Sequence, residues 1–164
     1  MDPLFKLNTA LTNQYLSNTE RLQKICLTTA ELIPGADRVS VWLFDEALSQ
    51  ITSLCCYDSK DNTYSQGTVL KKSDYQSYFE AIVDNEVVCA AQARTDATTS
   101  CFTESYFMPL NIHSLLDFTF HQDFVPKGII CCESIGREVD WQDSDIECLR
   151  RISRACSFYF KLEH

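Results

Sequence analysis

The sequence predicts an α+β domain built on a mainly antiparallel sheet. Three observations carry that prediction. Long helical patterns stand only at the two ends of the chain. Between them, β-branched and aromatic runs come in pairs joined by short polar connections, which is how hairpins read. A shorter helical pattern separates the first strand pair from the later strands. Helices and strands thus segregate along the chain instead of alternating as in a parallel α/β fold. Being the only long ones, both terminal helices must cover one face of the sheet.

From Leu4 to Ile33 there is no Gly or Pro, and apolar residues recur at three-to-four spacing through Leu7, Leu11, Tyr15, Leu22, Ile25 and Ile33. That spacing predicts one long amphipathic helix, closed by Pro34-Gly35. "DRVSVWLFD" (37–45) and "ITSLCCY" (51–57) read as two strands of a hairpin, followed by a polar loop, "DSKDNTYSQG". Ser73 and Gln76 stand at capping-box spacing and predict a short helix through Tyr75, Tyr78, Phe79 and Ile82 that ends near Asp84-Asn85. "EVVCAA" is a third strand. The mixed segment 92–113 holds a short helix from Thr103 to Met108, stopped by Pro109. "SLLDFTFH" and "IICCES" are partner strands joined through "QDFVPKG". "DWQDSDIECLRRISRACSFYF" closes the chain as a helix, with Asp143, Asp145 and Glu147 early and Arg150, Arg151 and Arg154 late, as the helix dipole favours. Trp141 reads as an anchor for its N-terminus.

Composition removes several classes of function. The 164 residues carry 14 basic and 23 acidic side chains, a net charge of −9. Such a surface suits neither a nucleic-acid backbone nor an anionic membrane. No apolar run reaches the roughly 20 residues of a membrane span. "MDPLFKLNTA" lacks the basic and apolar regions of a signal peptide. The nine cysteines, an odd number, argue against a secreted disulfide framework and for a reducing cytoplasm. The final Leu162-Glu163-His164 resembles the stub of an affinity tag, which implies a piece of a longer protein.

Two cysteine pairs, Cys55-Cys56 and Cys131-Cys132, invite a metal. Successive strand side chains point to opposite faces, so neither pair chelates one ion through both sulfurs. None of the nine makes the C-x-x-C that folds back on zinc. Meeting of one cysteine from each pair would require neighbouring strands. The simpler reading is that these cysteines are small core hydrophobes. A thiol nucleophile would need His113 or His121 beside an exposed cysteine, Cys101 first and Cys89 next. No nucleophile elbow, zinc-protease, phosphate-loop or EF-hand pattern is present.

Taken together and in order, "RVSVWLFD", "DYQSYFEAI", "ARTDATT", "PLNIHSLLDF", "GIICCE" and "W…D" resemble a GAF domain, and more narrowly the subgroup found ahead of histidine kinase, diguanylate cyclase and PAS modules in bacterial signalling proteins. The resemblance covers roughly residues 20–160, so that 1–161 form a single GAF-like sensory domain with a long N-terminal helix. It implies a PAS-like central sheet of five or six antiparallel strands, the terminal helices on one face, and short helices and lid loops enclosing a pocket on the other. On that mapping the lid holds Tyr64, Tyr75, Tyr78, Phe79, Arg94, Thr95, Asp96, Phe102, Tyr106 and Met108. The floor holds Trp42, Ser114, Leu116, Phe118, Cys131 and Glu133. The resemblance further implies a small-molecule ligand of unspecified identity and an effector domain elsewhere in the full-length chain; the terminal helices, with apolar stripes beyond the needs of one sheet face, predict a homodimer, and the lack of catalytic motifs predicts no enzymatic activity. It departs from family patterns where Ser134 stands in place of a histidine and Ala97 in place of a proline. Segments typical of the catalytic lineage, free methionine-(R)-sulfoxide reductase, are missing, as are the cyclic-nucleotide and bilin-attachment signatures. Two other readings stand beside the sensor: a dimerisation module that has lost its ligand, which a pocket filled by its own aromatics would favour, and a thiol redox sensor or enzyme.

Overall fold

The structure is a computed structural model and describes residues 2–163. Helices α1 (Pro3–Thr12) and α2 (Asn18–Leu32) lead into β1 (Arg38–Phe44) and β2 (Gln50–Asp58). Two short strands follow, β3 (Thr63–Ser65) and β4 (Val69–Lys71), then α3 (Gln76–Asn85) and β5 (Val87–Ala90). Helical turns over 100–110 precede the long hairpin of β6 (Ile112–Gln122) and β7 (Val125–Ile135). Helix α4 (Asp143–Glu163) ends the described chain. Of the tag-like stub, Leu162 and Glu163 continue the α4 backbone, and His164 lies outside the described residues.

Seven strands form one antiparallel sheet in the order β3-β2-β1-β7-β6-β5, with β4 beside β3 on the outer edge of β2. The expected α+β fold is thus present, with seven strands in place of five or six. The extra two lie in "DSKDNTYSQG" and the residues after it, where Thr63–Ser65 is fully exposed and carries no buried pattern to read.

The expected long N-terminal helix is two helices. Asn13–Ser17 breaks it: Asn13 Oδ1 accepts from Tyr15 N, and Ser17 Oγ accepts from Glu20 N at 3.1 Å to open α2. "SNTE" has the spacing of a capping box, its Ser17 half formed, inside the apparent apolar stripe, and Tyr15, counted in that stripe, is exposed. The capping box expected at Ser73 does not form. Helix α3 starts after Tyr75 with no side-chain cap. Pro109 lies within the turns 108–110 and does not stop them; Asn111 ends them in a left-handed conformation. The expected "QDFVPKG" connection shrinks to a two-residue turn, Asp123-Phe124, both at positive φ, in the type I′ manner that matches strand twist.

Helices α1, α2 and α4 pack on one face of the sheet, as expected from their length. Val39, Val41, Cys55, Leu116, Phe118, Phe120, Ile130 and Cys132 meet Leu7, Ile25, Cys26, Ile152, Cys156 and Phe160 there. Trp141, buried, joins that core at the entrance to α4, as expected. The other face carries Trp42, Ile129, Cys131 and Leu115 beneath α3 and the 100–110 turns.

Gly128 shows how tightly β1, β6 and β7 are drawn together. A Cβ there would stand 2.2 Å from the Trp42 carbonyl oxygen and 2.3 Å from the Phe120 ring. Backbone cannot retreat as a side-chain tip can. Gly128→Ala is therefore expected to destabilise the domain by about 1–3 kcal/mol or more, read as a lower urea midpoint.

Candidate functional site

β1 sends Arg38, Ser40 and Trp42 to the lid face, and β7 sends Ile129, Cys131 and Glu133. Arg38 stands directly opposite Glu133, and Cys131 opposite Asp117 of β6. Above these lie Tyr78 of α3 and Phe102, Tyr106 and Phe107 of the 100–110 turns. Together with Ile51, Leu70 and Leu115 they enclose a cavity of about 20 Å³, room for about one water. Phe102 fills much of the space. Its ring stacks on Tyr75 at 4.2 Å and meets Tyr78 at 5.0 Å and Phe107 at 5.5 Å.

Beneath the rings are two buried carboxylates. Asp117 is 2% exposed and Glu133 1%. Tyr78 donates its hydroxyl to Asp117 Oδ2. Arg38 Nη1 lies 3.4 Å from Glu133 Oε1 and donates to the Tyr106 hydroxyl at 3.1 Å. Asp117 Oδ1 and Glu133 Oε2 have no partner in hydrogen-bonding geometry; the Cys131 thiol, a weak donor, draws on both carboxylates, with the Cys132 amide on Asp117 and the Tyr106 hydroxyl on Glu133. Burial pushes the Asp117 carboxyl up to about 8, against the pull of Cys131 and Tyr78 and with the push of Glu133. Burial also raises Glu133, opposed chiefly by Arg38. For Arg38 itself, burial works against the charge, but Glu133 and Tyr106 override it and the guanidinium stays protonated.

These shifts make stability depend on pH. The folded Asp117 keeps its proton over a range in which the unfolded one, ordinarily at 3.8, has lost it. Its contribution is intact below pH 3.8 and drains away as pH rises towards about 8. Asp117→Asn is expected to remove this slope, at most about 1.4 kcal/mol per pH unit, and to gain on the wild type as pH rises. Urea unfolding of both proteins across that range measures it.

Of the residues singled out in the sequence, Trp42, Tyr78, Phe102, Tyr106, Cys131 and Glu133 line the cavity. Phe79 is buried beside Tyr78, and Tyr75 stacks outside Phe102 with its hydroxyl on Ser105. Leu116 and Phe118, expected in the floor, face the terminal helices. The phase is reversed: 115 and 117 face the lid, because β6 is buried on both sides and a bulge between Ile112 and Leu115 hides the alternation. Ser114 is not floor either; its hydroxyl donates to Ala91 O and accepts from Val139 N, tying β6 to the entry of α4. Tyr64 is exposed, packs at 4.9 Å on Tyr57 of the helix-side core, and is not lid. Arg94 and Asp96 are loop braces, donating to Ile112 O and accepting from Thr98 N at 2.8 and 2.9 Å. Neither they, exposed Thr95 nor exposed Met108 line the cavity. Sequence reasoning missed Arg38, Asp117, Phe107 and Leu115. Asp117 had a signal, as the lone charge in the apolar run "SLLDFTF".

The cysteine pairs split across the sheet, Cys55 and Cys132 to the helix side and Cys131 to the cavity. β1 runs between β2 and β7, so the pairs are not on neighbouring strands. No group of three or more metal-ligating side chains forms among the described residues. Burial, then the charges of Asp117 and Glu133, holds the Cys131 thiol far above its ordinary value, which withholds the nucleophilic thiolate. His113 bonds Asn111 and Cys101 bonds Thr98 O, so neither engages the other through these contacts.

The geometry, a seven-stranded antiparallel sheet with a lidded cavity on one face and terminal helices on the other, meets its counterpart in sequence: the pattern that defines the GAF domain matches residues 18–159. The chain belongs to the GAF family. Among solved structures, the chromophore-binding domain of Stigmatella aurantiaca bacteriophytochrome superposes with a TM-score of 0.74 at 12% identity over 97% of this chain. This chain spans 59% of that one. The GAF domain of a two-component sensor histidine kinase from Bacillus halodurans gives 0.68 at 15% identity, over 89% of this chain and 95% of the other. Free methionine-R-sulfoxide reductase from Neisseria meningitidis, in complex with its substrate, gives 0.67 at 12% identity, over 96% and 86%. These likenesses are of fold. No curated protein matches the chain in sequence.

Proposed function

We propose that this GAF domain is a non-catalytic regulatory sensor that takes a small molecule between sheet and lid. The observation that carries the reading is the pair of buried carboxylate oxygens without hydrogen-bond partners, carried by two residues that line an aromatic-walled cavity. A buried acceptor left unmatched is costly, and a few polar groups in an apolar cleft are the usual form of a ligand site. The cavity as it stands holds about one water, so the ligand enters by displacing Phe102 and Tyr106. Movement of the lid reaches the terminal helices through β6 and Ser114, which bonds both Ala91 O and the entry to α4. Those helices would pass the change to an effector domain, a histidine kinase or diguanylate cyclase, and mediate a homodimer in the cytoplasm. Among the described residues no helix is long and apolar enough to cross a membrane.

A second reading has its own support. The stacking of Phe102 on Tyr75, Tyr78 and Phe107 fills the space, as a ligand-free dimerisation module would. Hydrogen exchange in the presence and absence of a dialysable metabolite extract separates the two. The sensor gains protection over the lid and changes in α1, α2 and α4; the module shows neither. Sedimentation tests the dimer, and a monomer at every concentration would count against it.

A further inference from the structure

Resting on the reading of the cavity as a ligand site, we propose that its ligand is a small monocation carrying at least two N–H donors on a flat frame, an amidinium or protonated N-heterocycle, held between Asp117 and Glu133.

The cavity sets two carboxylates against one guanidinium. Arg38 is committed: it faces Glu133 Oε1 and the Tyr106 hydroxyl from the rim of the site, where its side chain is 15% exposed. With both acids ionised the site carries one uncompensated negative charge. The free protein relieves it by holding a proton on Asp117; a ligand cation relieves it by supplying the positive charge. An anion would add a third negative charge to a space already short of donors.

Hydrogen bonding points the same way. Once both acids are ionised, as a bound cation favours, the unfilled positions, Asp117 Oδ1 and Glu133 Oε2, are both acceptors. They stand on adjacent strands with the Cys131 thiol between, since Cys131 pairs with Asp117 and Glu133 lies two residues further along β7 on the same face. A ligand meeting both must donate twice. Charged N–H donors to carboxylates make the stronger class of hydrogen bond. The walls complete the match. Trp42, Phe102, Tyr106 and Phe107 present aromatic surface, which favours a flat cation through stacking and cation–π attraction.

Benzamidinium and benzoate share one shape and carry opposite charge, which makes them the probes. Calorimetric titration of the wild type is expected to give saturable binding of benzamidinium and none of benzoate. Asp117→Asn is neutral, as the protonated Asp117 of the free protein is, and is expected to fold, but it cannot ionise to meet a cation, so its benzamidinium affinity is expected to be about 10- to 100-fold weaker. Saturable benzoate binding that excludes benzamidinium would overturn the cation while leaving the cavity reading intact. Binding of neither probe, with a high-resolution structure showing one water donating to both free oxygens, would overturn both. Benzamidinium binding unchanged by Asp117→Asn would overturn the assignment to this site.

Discussion

Arg38→Met is expected to cost the domain about 3–5 kcal/mol, because it strands a carboxylate that is 1% exposed. Glu133 has no other cation in the cavity, and its second oxygen already lacks a partner in hydrogen-bonding geometry. The cost depends on pH, and its sign follows from the shift. Burial raises Glu133, and Arg38 is the chief force holding it down. Without Arg38 the folded carboxyl rises further, while the unfolded one stays near its ordinary 4.5. Stability tied to Glu133 is whole below that point and is lost as pH climbs to the folded value, so the wild type outpaces the variant increasingly above it. Glu133→Gln on the Arg38→Met background is expected to restore a large part of the loss by removing the stranded charge. Urea unfolding of the single and double variants at two pH values measures both effects; a double variant no more stable than Arg38→Met would show that the pair is not the source.

Phe118→Ala is expected to cost about 3–5 kcal/mol and to leave the cavity untouched. Phe118 is buried among the terminal helices, with the Arg150 guanidinium 5.7 Å from its ring centroid. Its strand neighbour Asp117 faces the other way, so one residue of β6 separates a core position from a site position. The expected result is a lower urea midpoint with unchanged benzamidinium affinity. A variant that keeps its stability but loses the probe would put Phe118 in the floor after all.

The same strand explains how far the sequence could be read. The C-terminal helix, the helical nature of the N-terminal segment though not its break, the 37–57 hairpin and the final pair of strands were legible, because their apolar spacing or β-branched content is dictated by one buried face or by strand formation itself. Trp42, Cys131 and Glu133 were legible through the resemblance of "RVSVWLFD" and "GIICCE" to family segments. The facing of β6 was not. Residues 114–120 are all buried, so alternation of polar and apolar residues carries no phase, and the bulge after Ile112 shifts the count. Arg38 was passed over because an arginine at a strand start usually reaches solvent; its partner is set by register, Arg38 opposite Glu133, which pairing alone reveals. Ser17 was hidden for a different reason: its capping box fell inside an apolar stripe that continues on both sides, through Leu11 and Leu22.

The cavity between sheet and lid is expected to accept a small molecule through Asp117 and Glu133. The most direct test incubates wild type and Asp117→Asn with a dialysable metabolite extract, desalts them, and compares native with denatured mass. The account predicts a non-covalent added mass on the wild type, one per chain, reduced or absent on the variant. Bare chains in both would contradict it and leave a domain that fills its own pocket.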